Sequence, residues 1–257
     1  MADALATYLQ ELRAIKTSGA GVKETSYYPP LANLLNEVGK GLKPRVKCIV
    51  NLRDKGAGLP DGGLFTPDQF PKGSDGPPPD LIPARGAIEA KGTGADVDII
   101  ADGEQVARYW GRYGQVLVTN YRDFLLVGRD ADGRKAKLER YRLAPDEAAE
   151  AQGERFGEFL KRAMLHAARL SAPEDVARFL ASYARDAKAR IEQKARAAGG
   201  ELAALENVRT ALEQALGIRF KGDKGAHFFR STLVQTLFYG VFSAWVLWSK
   251  TPPSLGN

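Results

Sequence analysis

The hydrophobic pattern divides the chain into a part that mixes helices with strands and a part that is helical throughout. Apolar side chains recur at helical intervals over residues 4–16. A second helical stripe follows Pro29 and Pro30, which fit the first turn of a helix because the missing N–H costs little there. Short runs of β type then predict six strands. The runs are Val46–Leu52, Gly62–Phe65, Ala87–Lys91, Gln115–Thr119, Phe124–Val127 and Leu138–Leu143.

The segments between and after these runs complete the expected organisation. Residues 66–85 contain six prolines, which predicts an exposed loop between the second and third strands. Residues 103–112 predict a short helix, and beyond residue 145 the chain is rich in Ala, Glu, Arg and Lys and predicts further helices. We therefore expect an α/β domain over residues 1–145 and a helical region over residues 146–257 that connects the domain to a partner or docks one.

One apolar segment near the end of the chain requires a test for membrane insertion. Residues 231–248 form an 18-residue segment without a charged side chain. This length is marginal for crossing a bilayer core of about 30 Å. Gln235, Tyr239 and several hydroxyl side chains favour a helix that packs against protein, either here or in a domain outside this sequence. The start of the chain has no basic segment followed by an apolar run, so no signal peptide is predicted.

Composition excludes several classes of site without choosing a function. Cys48 is the one cysteine and there are two histidines, so a zinc site built from Cys and His is excluded. The chain contains neither a Walker-type phosphate loop nor a strand-coupled Gly-x-Gly-x-x-Gly motif. Lys and Arg number 37 against 31 Asp and Glu, and this excess is spread along the chain. The charge therefore permits a nucleic-acid partner but does not demonstrate one.

Carboxylates and a lysine follow one another around the second and third predicted strands. Asp61 lies after a Gly-rich turn, and Glu89-Ala90-Lys91 closes the third strand. Strand alternation places Glu89 and Lys91 on the same face. Mg²⁺ takes oxygen ligands, usually one or two carboxylates, and can activate water against an anionic phosphodiester. We expect Asp61, Glu89 and the carbonyl of Ala90 to bind the metal and Lys91 to act on the water or on the developing phosphorane charge.

The helix predicted after the third strand carries residues that fit the same site. Gln105 and Tyr109 are four residues apart and so share one helix face, from which they can support the site. Arg108 and Arg112 lie on an adjacent strip of the helix and suit contacts with DNA phosphates.

Taken in order, Asp61, Glu89-x-Lys91 and Gln105-x-x-x-Tyr109 resemble the PD-(D/E)xK nuclease superfamily. The segment from Glu24 to Leu35 and the segment 235–244 are similar to the N-terminal part of single-chain restriction–modification enzymes. The resemblance implies a restriction-endonuclease-like fold, a mixed central sheet flanked by helices. It also implies Mg²⁺-dependent endonuclease action on double-stranded DNA in phage defence, with Mn²⁺ as a possible substitute, in the cytoplasm of a prokaryote.

The resemblance carries further expectations about partners and accessory residues. Glu24 matches an acid that the superfamily often has on its first helix. In the single-chain restriction–modification enzymes a methyltransferase, and in some a motor, follows in the same full-length chain. No methyltransferase motif occurs in this sequence, so the resemblance implies either a stand-alone nuclease or the N-terminal region of such an enzyme. Double-strand cleavage by one site per chain implies a transient dimer.

Alternatives remain for both the site and the function. Asp80 competes with Asp61 as a metal ligand, whereas Asp96 and Asp98 are expected in a solvated turn. A non-catalytic DNA-binding or docking module with a vestigial site is the main alternative function. A helical interaction protein, for which the α/β part is only a scaffold, is a third.

Overall fold

Two compact units make up the chain, Met1–Arg169 and Leu170–Asn257. The structure is a computed structural model that describes residues 2–18, 24–52, 58, 60–70, 82–144, 148–166, 173–198 and 203–250. The first unit has a six-stranded sheet flanked by helices, and the second is helical. This confirms the predicted fold class.

The sheet of the first unit is mixed and follows the order of the chain, β1-β2-β3-β4-β5-β6. Neighbouring strands are antiparallel except β3 and β4, which are parallel and place Glu89 opposite Val118 and Ala90 opposite Thr119. A parallel pair needs a crossover connection, which the helices between these two strands provide. The strands are β1 Lys47–Val50, β2 Gly62–Phe65, β3 Ala87–Ala90, β4 Val116–Thr119, β5 Asp123–Arg129 and β6 Lys135–Arg142.

Helices cover both faces of this sheet, so each face has its own buried layer. The layer on one face includes Leu35, Leu117 and Phe156, and the layer on the other includes Val106, Val116 and Val118. The helices of the first unit are α1 Ala2–Thr17, α2 Tyr28–Lys40, α3 Val97–Asp102, α4 Glu104–Tyr113 and α5 Ala149–Leu165. Burial of apolar side chains at about 1.5–3 kcal/mol each is the main force that holds the helices to the sheet.

Two local features place β3 accurately in the middle of the sheet. Gly86 precedes the strand with φ +91°, and a Cβ there would lie 2.3 Å from Cγ of Gln115. Gln115 is buried, and its Nε2 donates to the carbonyl oxygens of Arg85 at 2.7 Å and Ala163 at 2.9 Å. Only glycine fits both the backbone conformation and the space at residue 86.

The sequence prediction differs from the structure at three elements. Asp96 and Asp98 belong to the start of α3, not to a free turn, because the Asp96 side chain accepts a hydrogen bond from the Asp98 N–H at 2.8 Å and caps the helix. A short 3-10 turn, Glu24–Tyr27, precedes α2. Helix α5, beyond the predicted boundary at residue 145, packs against α1, α2 and β6 and lies in the first unit.

The second unit contains α6 Pro173–Ala197, α7 Ala203–Leu216 and α8 Gly222–Lys250. Helices α6 and α8 pack together, and Phe229 of α8 is fully buried with its ring 5.4 Å from that of Phe220. Further along α8, Leu237 and Trp248 are 61% and 74% exposed. The apolar segment 231–248 lies within α8 and is helical, as predicted. In the part of the chain that the structure describes, no helix has both the length and the apolar character needed to cross a bilayer.

Candidate active site

Asp61 lies immediately before β2 and is held on both of its carboxylate oxygens. Its Oδ2 accepts a hydrogen bond from the backbone N–H of Ala90 at 2.8 Å, and its Oδ1 accepts one from the hydroxyl of Tyr28. Its own carbonyl accepts from the N–H of Asn51 at 2.8 Å, beside β1. The side chain is 18% exposed, so the carboxylate has a defined direction and still reaches solvent.

Glu89 and Lys91 meet Asp61 at the carboxyl end of β3. The Nζ of Lys91 lies 2.5 Å from Oε1 of Glu89 and 4.0 Å from Oδ2 of Asp61. The Lys91 N–H donates to the carbonyl of Thr119 at 2.9 Å, which extends the β3–β4 pairing by one residue. Glu89 is completely buried, whereas the Lys91 side chain is 35% exposed. An ammonium that reaches solvent is thus in contact with a buried carboxylate and close to a second one.

Helix α4 supplies the neutral hydrogen-bond partners of this cluster. The Nε2 of Gln105 donates to Oε2 of Glu89 at 3.3 Å and to the hydroxyl of Tyr109 at 3.0 Å. Tyr109 is buried, so its ring also contributes to the core beneath the site. The structure therefore brings together all five residues that the sequence singled out for the chemistry, from β2, β3 and α4: Asp61, Glu89, Lys91, Gln105 and Tyr109.

Glu24, in the 3-10 turn before α2, also faces the cluster. Burial raises the pKa of its carboxyl group, the charge of Lys91 lowers that pKa, and the charge of Asp61 raises it. Its Oε1 is buried and has no hydrogen-bond partner among the described residues. A buried carboxylate oxygen without a partner is costly unless a ligand satisfies it.

Excess negative charge is the main electrostatic feature of the site. Burial raises the pKa of Glu89 to about 7, although the hydrogen bond with Lys91 lowers it, and the charge of Asp61 contributes to the rise. Burial alone would lower the pKa of Lys91, but the hydrogen bond to Glu89 and the surrounding carboxylates raise it overall. Three carboxylates face one ammonium, so the cluster has the charge that a divalent cation would compensate.

The donor set fits Mg²⁺ better than a softer metal. Asp61 and Glu89 offer carboxylate oxygens, and Ala90 at the end of β3 offers a carbonyl. Among the described residues no three His, Cys, Asp or Glu side chains are grouped closely enough to hold a metal ion by themselves. An ion bound here would keep several positions for water and phosphate oxygens, which is the usual mode of Mg²⁺. The hydrogen bonds to Asp61 do not prevent this, because an ionised carboxylate has about four acceptor sites.

Two tyrosines at the site were not predicted from the sequence. Tyr28 holds Asp61, as described above, and the Tyr121 hydroxyl donates to the carbonyl oxygen of Glu24 at 3.2 Å. Tyr8 in α1 donates in turn to the carbonyl of Tyr121 at 2.8 Å. These bonds join residues distant along the chain. The one available signal was local: Tyr28 lies four residues after Glu24, in a segment that the family resemblance included.

The remaining candidates lie away from these contacts or outside the described residues. Arg108 and Arg112 are exposed on α4, and their DNA contacts stay predictions. Asp98 pairs with Arg140 and Lys137 at the start of α3 and does not join the carboxylate cluster. Asp80, the alternative to Asp61, lies in residues 71–81, which the structure does not describe.

Comparison with known proteins yields weak structural similarity and no sequence match. No protein-family model and no curated protein sequence matches the chain. A cryo-electron-microscopy structure of a DrdV–DNA complex is similar to it, with 20% sequence identity and a TM-score of 0.44 over 77% of this chain and 18% of that chain. A TM-score of 0.44 is too low to assign a fold or an activity.

Proposed function

We propose that this protein hydrolyses the phosphodiester bonds of DNA in a Mg²⁺-dependent reaction. The observation that carries the proposal is the position of the Lys91 ammonium, 2.5 Å from the Glu89 carboxylate and 4.0 Å from that of Asp61. Two carboxylates and a lysine at one point are the groups needed to hold a divalent cation beside an anionic phosphate and to stabilise added negative charge.

Each residue of the site has a separate role in the proposed reaction. Asp61, Glu89 and the Ala90 carbonyl would hold the cation, which supplies Lewis-acid activation of the phosphate and of a water molecule when bound. Lys91 holds the attacking water or a phosphate oxygen by hydrogen bonding, since its side chain reaches solvent while it contacts Glu89. Gln105 keeps the Glu89 carboxylate oriented through Oε2.

The wider role follows the family that the motif resembles. We propose an endonuclease of a prokaryotic restriction–modification system that acts on double-stranded DNA in phage defence. A methyltransferase, with or without a motor, would belong to the same full-length chain, and two copies would meet transiently to cut both strands.

Digestion of a supercoiled plasmid tests the proposal. The protein is incubated with Mg²⁺, Mn²⁺, Ca²⁺ or EDTA, and nicked and linear products are separated on a gel. We expect cleavage with Mg²⁺ or Mn²⁺, none with EDTA, and none by Lys91→Ala. Lys40→Ala is the matched control, because Lys40 is 70% exposed and pairs with Glu37 at the end of α2, far along the chain from β3.

Two results would refute the proposal. Cleavage at a normal rate by Lys91→Ala would remove Lys91 from the chemistry. Absence of cleavage with every metal, together with tight DNA binding and no heat of metal binding in calorimetry, would favour the alternative of a non-catalytic DNA-binding or docking module.

A further inference from the structure

A basic pocket lies beside the carboxylate cluster on the α1 side of the sheet. Its volume is about 160 Å³, and its cationic lining residues are Arg13, Lys16 and Arg122. No acidic side chain is among the described residues that line it. Arg13 and Lys16 are one turn apart on α1, so both point to the same side of that helix. All three cationic side chains are exposed.

The pocket is connected to the candidate active site on two sides. Thr93 lines it and is two residues beyond Lys91, so their Cα atoms are at most about 7 Å apart. Tyr27 also lines it and directly precedes Tyr28, whose hydroxyl contacts Asp61. A phosphate in this pocket would therefore be a close neighbour of a phosphate held at Lys91.

Further arginines, partly paired with carboxylates, follow this pocket along one edge of the sheet. Arg122 lines a second pocket of about 450 Å³, together with Arg140 and Arg142 and with the acidic residues Asp96 and Asp123. Buried Asp123 fixes Arg142 in place, with its Oδ1 2.8 Å from Nε of the arginine. The arginine side chain itself stays 72% exposed, so it can make further contacts.

Strand register shows that these groups share the edge with the carboxylates. Ala90 lies opposite Thr119, Thr119 opposite Phe124, and Asp123 opposite Arg142. The ends of β3, β4 and β6 and the start of β5 are therefore side by side. Three strand spacings of about 4.8 Å separate β3 from β6, which places Arg142 about 14 Å from Lys91. An extended anionic strand of a few nucleotides would span this distance at a rise of about 3.4 Å per nucleotide.

We propose that Arg13, Lys16 and Arg122 bind the backbone phosphates next to the scissile phosphate, so that the DNA strand follows the sheet edge from Lys91 towards Arg142. The inference rests on the proposed function for the identity of the polyanion. Phosphate contacts of this kind position DNA without reading its sequence. They also release counterions, so they make binding dependent on salt.

The salt dependence of DNA binding tests the proposal. Fluorescence anisotropy of a labelled duplex is measured in EDTA from 50 to 200 mM KCl for the wild type and for Arg13→Ala, Lys16→Ala and Arg122→Ala. Each variant should bind several-fold more weakly at low salt, and the slope of log K against log salt should fall in magnitude by about 0.9 per lost phosphate contact. Circular dichroism confirms that each variant is folded.

Arg134→Ala is the matched control for the loss of one positive charge. Arg134 is 78% exposed in the turn between β5 and β6, at the opposite end of β5 from Asp123. Its removal should leave the slope unchanged. Wild-type slopes in Arg13→Ala, Lys16→Ala and Arg122→Ala, or an equal fall in Arg134→Ala, would overturn the assignment of the pocket.

The salt dependence of binding and the plasmid digestion distinguish failure of the pocket assignment from failure of the proposed function. If the wild type cuts plasmid but the three substitutions leave the slope of log K against log salt unchanged, the proposed function stands and the assignment of the pocket as a phosphate-binding site is refuted. If the wild type does not cut plasmid but the slope falls in the three variants and not in Arg134→Ala, the pocket remains a DNA-backbone site and the proposed phosphodiester hydrolysis is refuted.

Discussion

The hydroxyl of Tyr28, the first residue of α2, donates a hydrogen bond to Oδ1 of Asp61. The other oxygen of this carboxylate accepts from the Ala90 N–H at 2.8 Å. One side chain and one backbone group thus fix the direction of Asp61 relative to β3. Tyr28 contributes through Asp61, so we assign it a positioning role.

Substitution of Tyr28 by Phe should weaken the metal dependence of the proposed cleavage reaction. Loss of a hydrogen bond to a charged group costs about 1.5–3 kcal/mol at most, and a tenfold change in affinity corresponds to about 1.4 kcal/mol. We expect the Mg²⁺ concentration for half-maximal cleavage to rise about tenfold, with unchanged DNA binding in EDTA. The measurement is a Mg²⁺ titration of the plasmid cleavage rate.

The control for this prediction is Tyr239→Phe, which removes the hydroxyl of a tyrosine that is 69% exposed on α8. It should leave the Mg²⁺ titration unchanged. A wild-type titration midpoint in Tyr28→Phe would show that the backbone contact alone positions Asp61.

Gln105→Ala should reduce the rate of cleavage with a small effect on stability. The substitution removes the donor to Oε2 of Glu89 and to the hydroxyl of Tyr109. We expect the rate constant of cleavage to fall by about 10- to 100-fold, which corresponds to the roughly 1.5–3 kcal/mol of a hydrogen bond to a charged group, and the free energy of unfolding to fall by about 1 kcal/mol. Single-turnover cleavage and urea denaturation measure the two effects.

Glu104 offers a control on the same helix, because it is exposed and directly precedes Gln105. Glu104→Ala should keep the wild-type rate. If both variants lose activity equally, the effect belongs to the stability of α4 and not to Glu89.

The raised pKa of Glu89 predicts an unusual pH dependence of stability in EDTA. Burial raises this pKa to about 7, so the folded protein binds a proton that the unfolded chain releases near pH 4.5. Stability therefore falls as pH rises from about 4.5 to 7, and the cost of the buried charge is fully present above that window. At about 1.36 kcal/mol per pKa unit, this cost is on the order of 3 kcal/mol.

Glu89→Gln removes that charge and should raise the free energy of unfolding at pH 8 in EDTA but change it little at pH 4. Urea denaturation at the two pH values measures the difference, with the exposed Glu37→Gln as the control. Addition of Mg²⁺ at pH 8 should stabilise the wild type more than Glu89→Gln, because the bound cation compensates the carboxylate. An equal effect of Glu89→Gln at both pH values would contradict the linkage.

The sequence was sufficient for the parts of the site that have a local pattern. Glu89 and Lys91 share a face because a strand alternates, and Gln105 and Tyr109 do so because a helix repeats every 3.6 residues. Five of the six strands were found because each contains a short, largely apolar run, and the sixth because apolar Leu138, Tyr141 and Leu143 lie among charged residues next to a glycine-containing turn. Asp61 was assigned to the cluster because it precedes the neighbouring predicted strand and because it matches a known motif, whereas its hydrogen bonds with Tyr28 and the Ala90 N–H had no local signal.

The remaining features depend on tertiary packing and have no local signal. Tyr28 reaches Asp61 across 33 residues. Arg13 and Arg122 share a pocket only because α1 packs beside the sheet edge. Helix α3 has six residues, too few for a periodic pattern, and its one signal is the capping aspartate Asp96. In each case the contact depends on the fold as a whole, so it could not be predicted from residue types and their spacing along the chain.

The position of the domain boundary can be tested by truncation, because α5 separates the predicted boundary from the one seen in the structure. Phe156, Phe159 and Leu160 of α5 are completely buried, and Phe156 lies 4.9 Å from the ring of Phe124. At about 1.5–3 kcal/mol for each such side chain, their loss approaches a typical total stability of about 5–15 kcal/mol. A fragment 1–145 should therefore be unfolded or unfold at low urea.

A fragment 1–169 retains α5 and should unfold cooperatively, with circular dichroism typical of a mixed α/β protein. If the proposed function is right, it should also cut plasmid with Mg²⁺, since Asp61, Glu89, Lys91 and Gln105 all lie in the first unit. Equal unfolding midpoints for the two fragments would show that α5 is not part of the folding unit. A folded 1–169 fragment without cleavage, beside an active full chain, would show that α6–α8 contribute to catalysis or DNA binding and do not serve only as a connector.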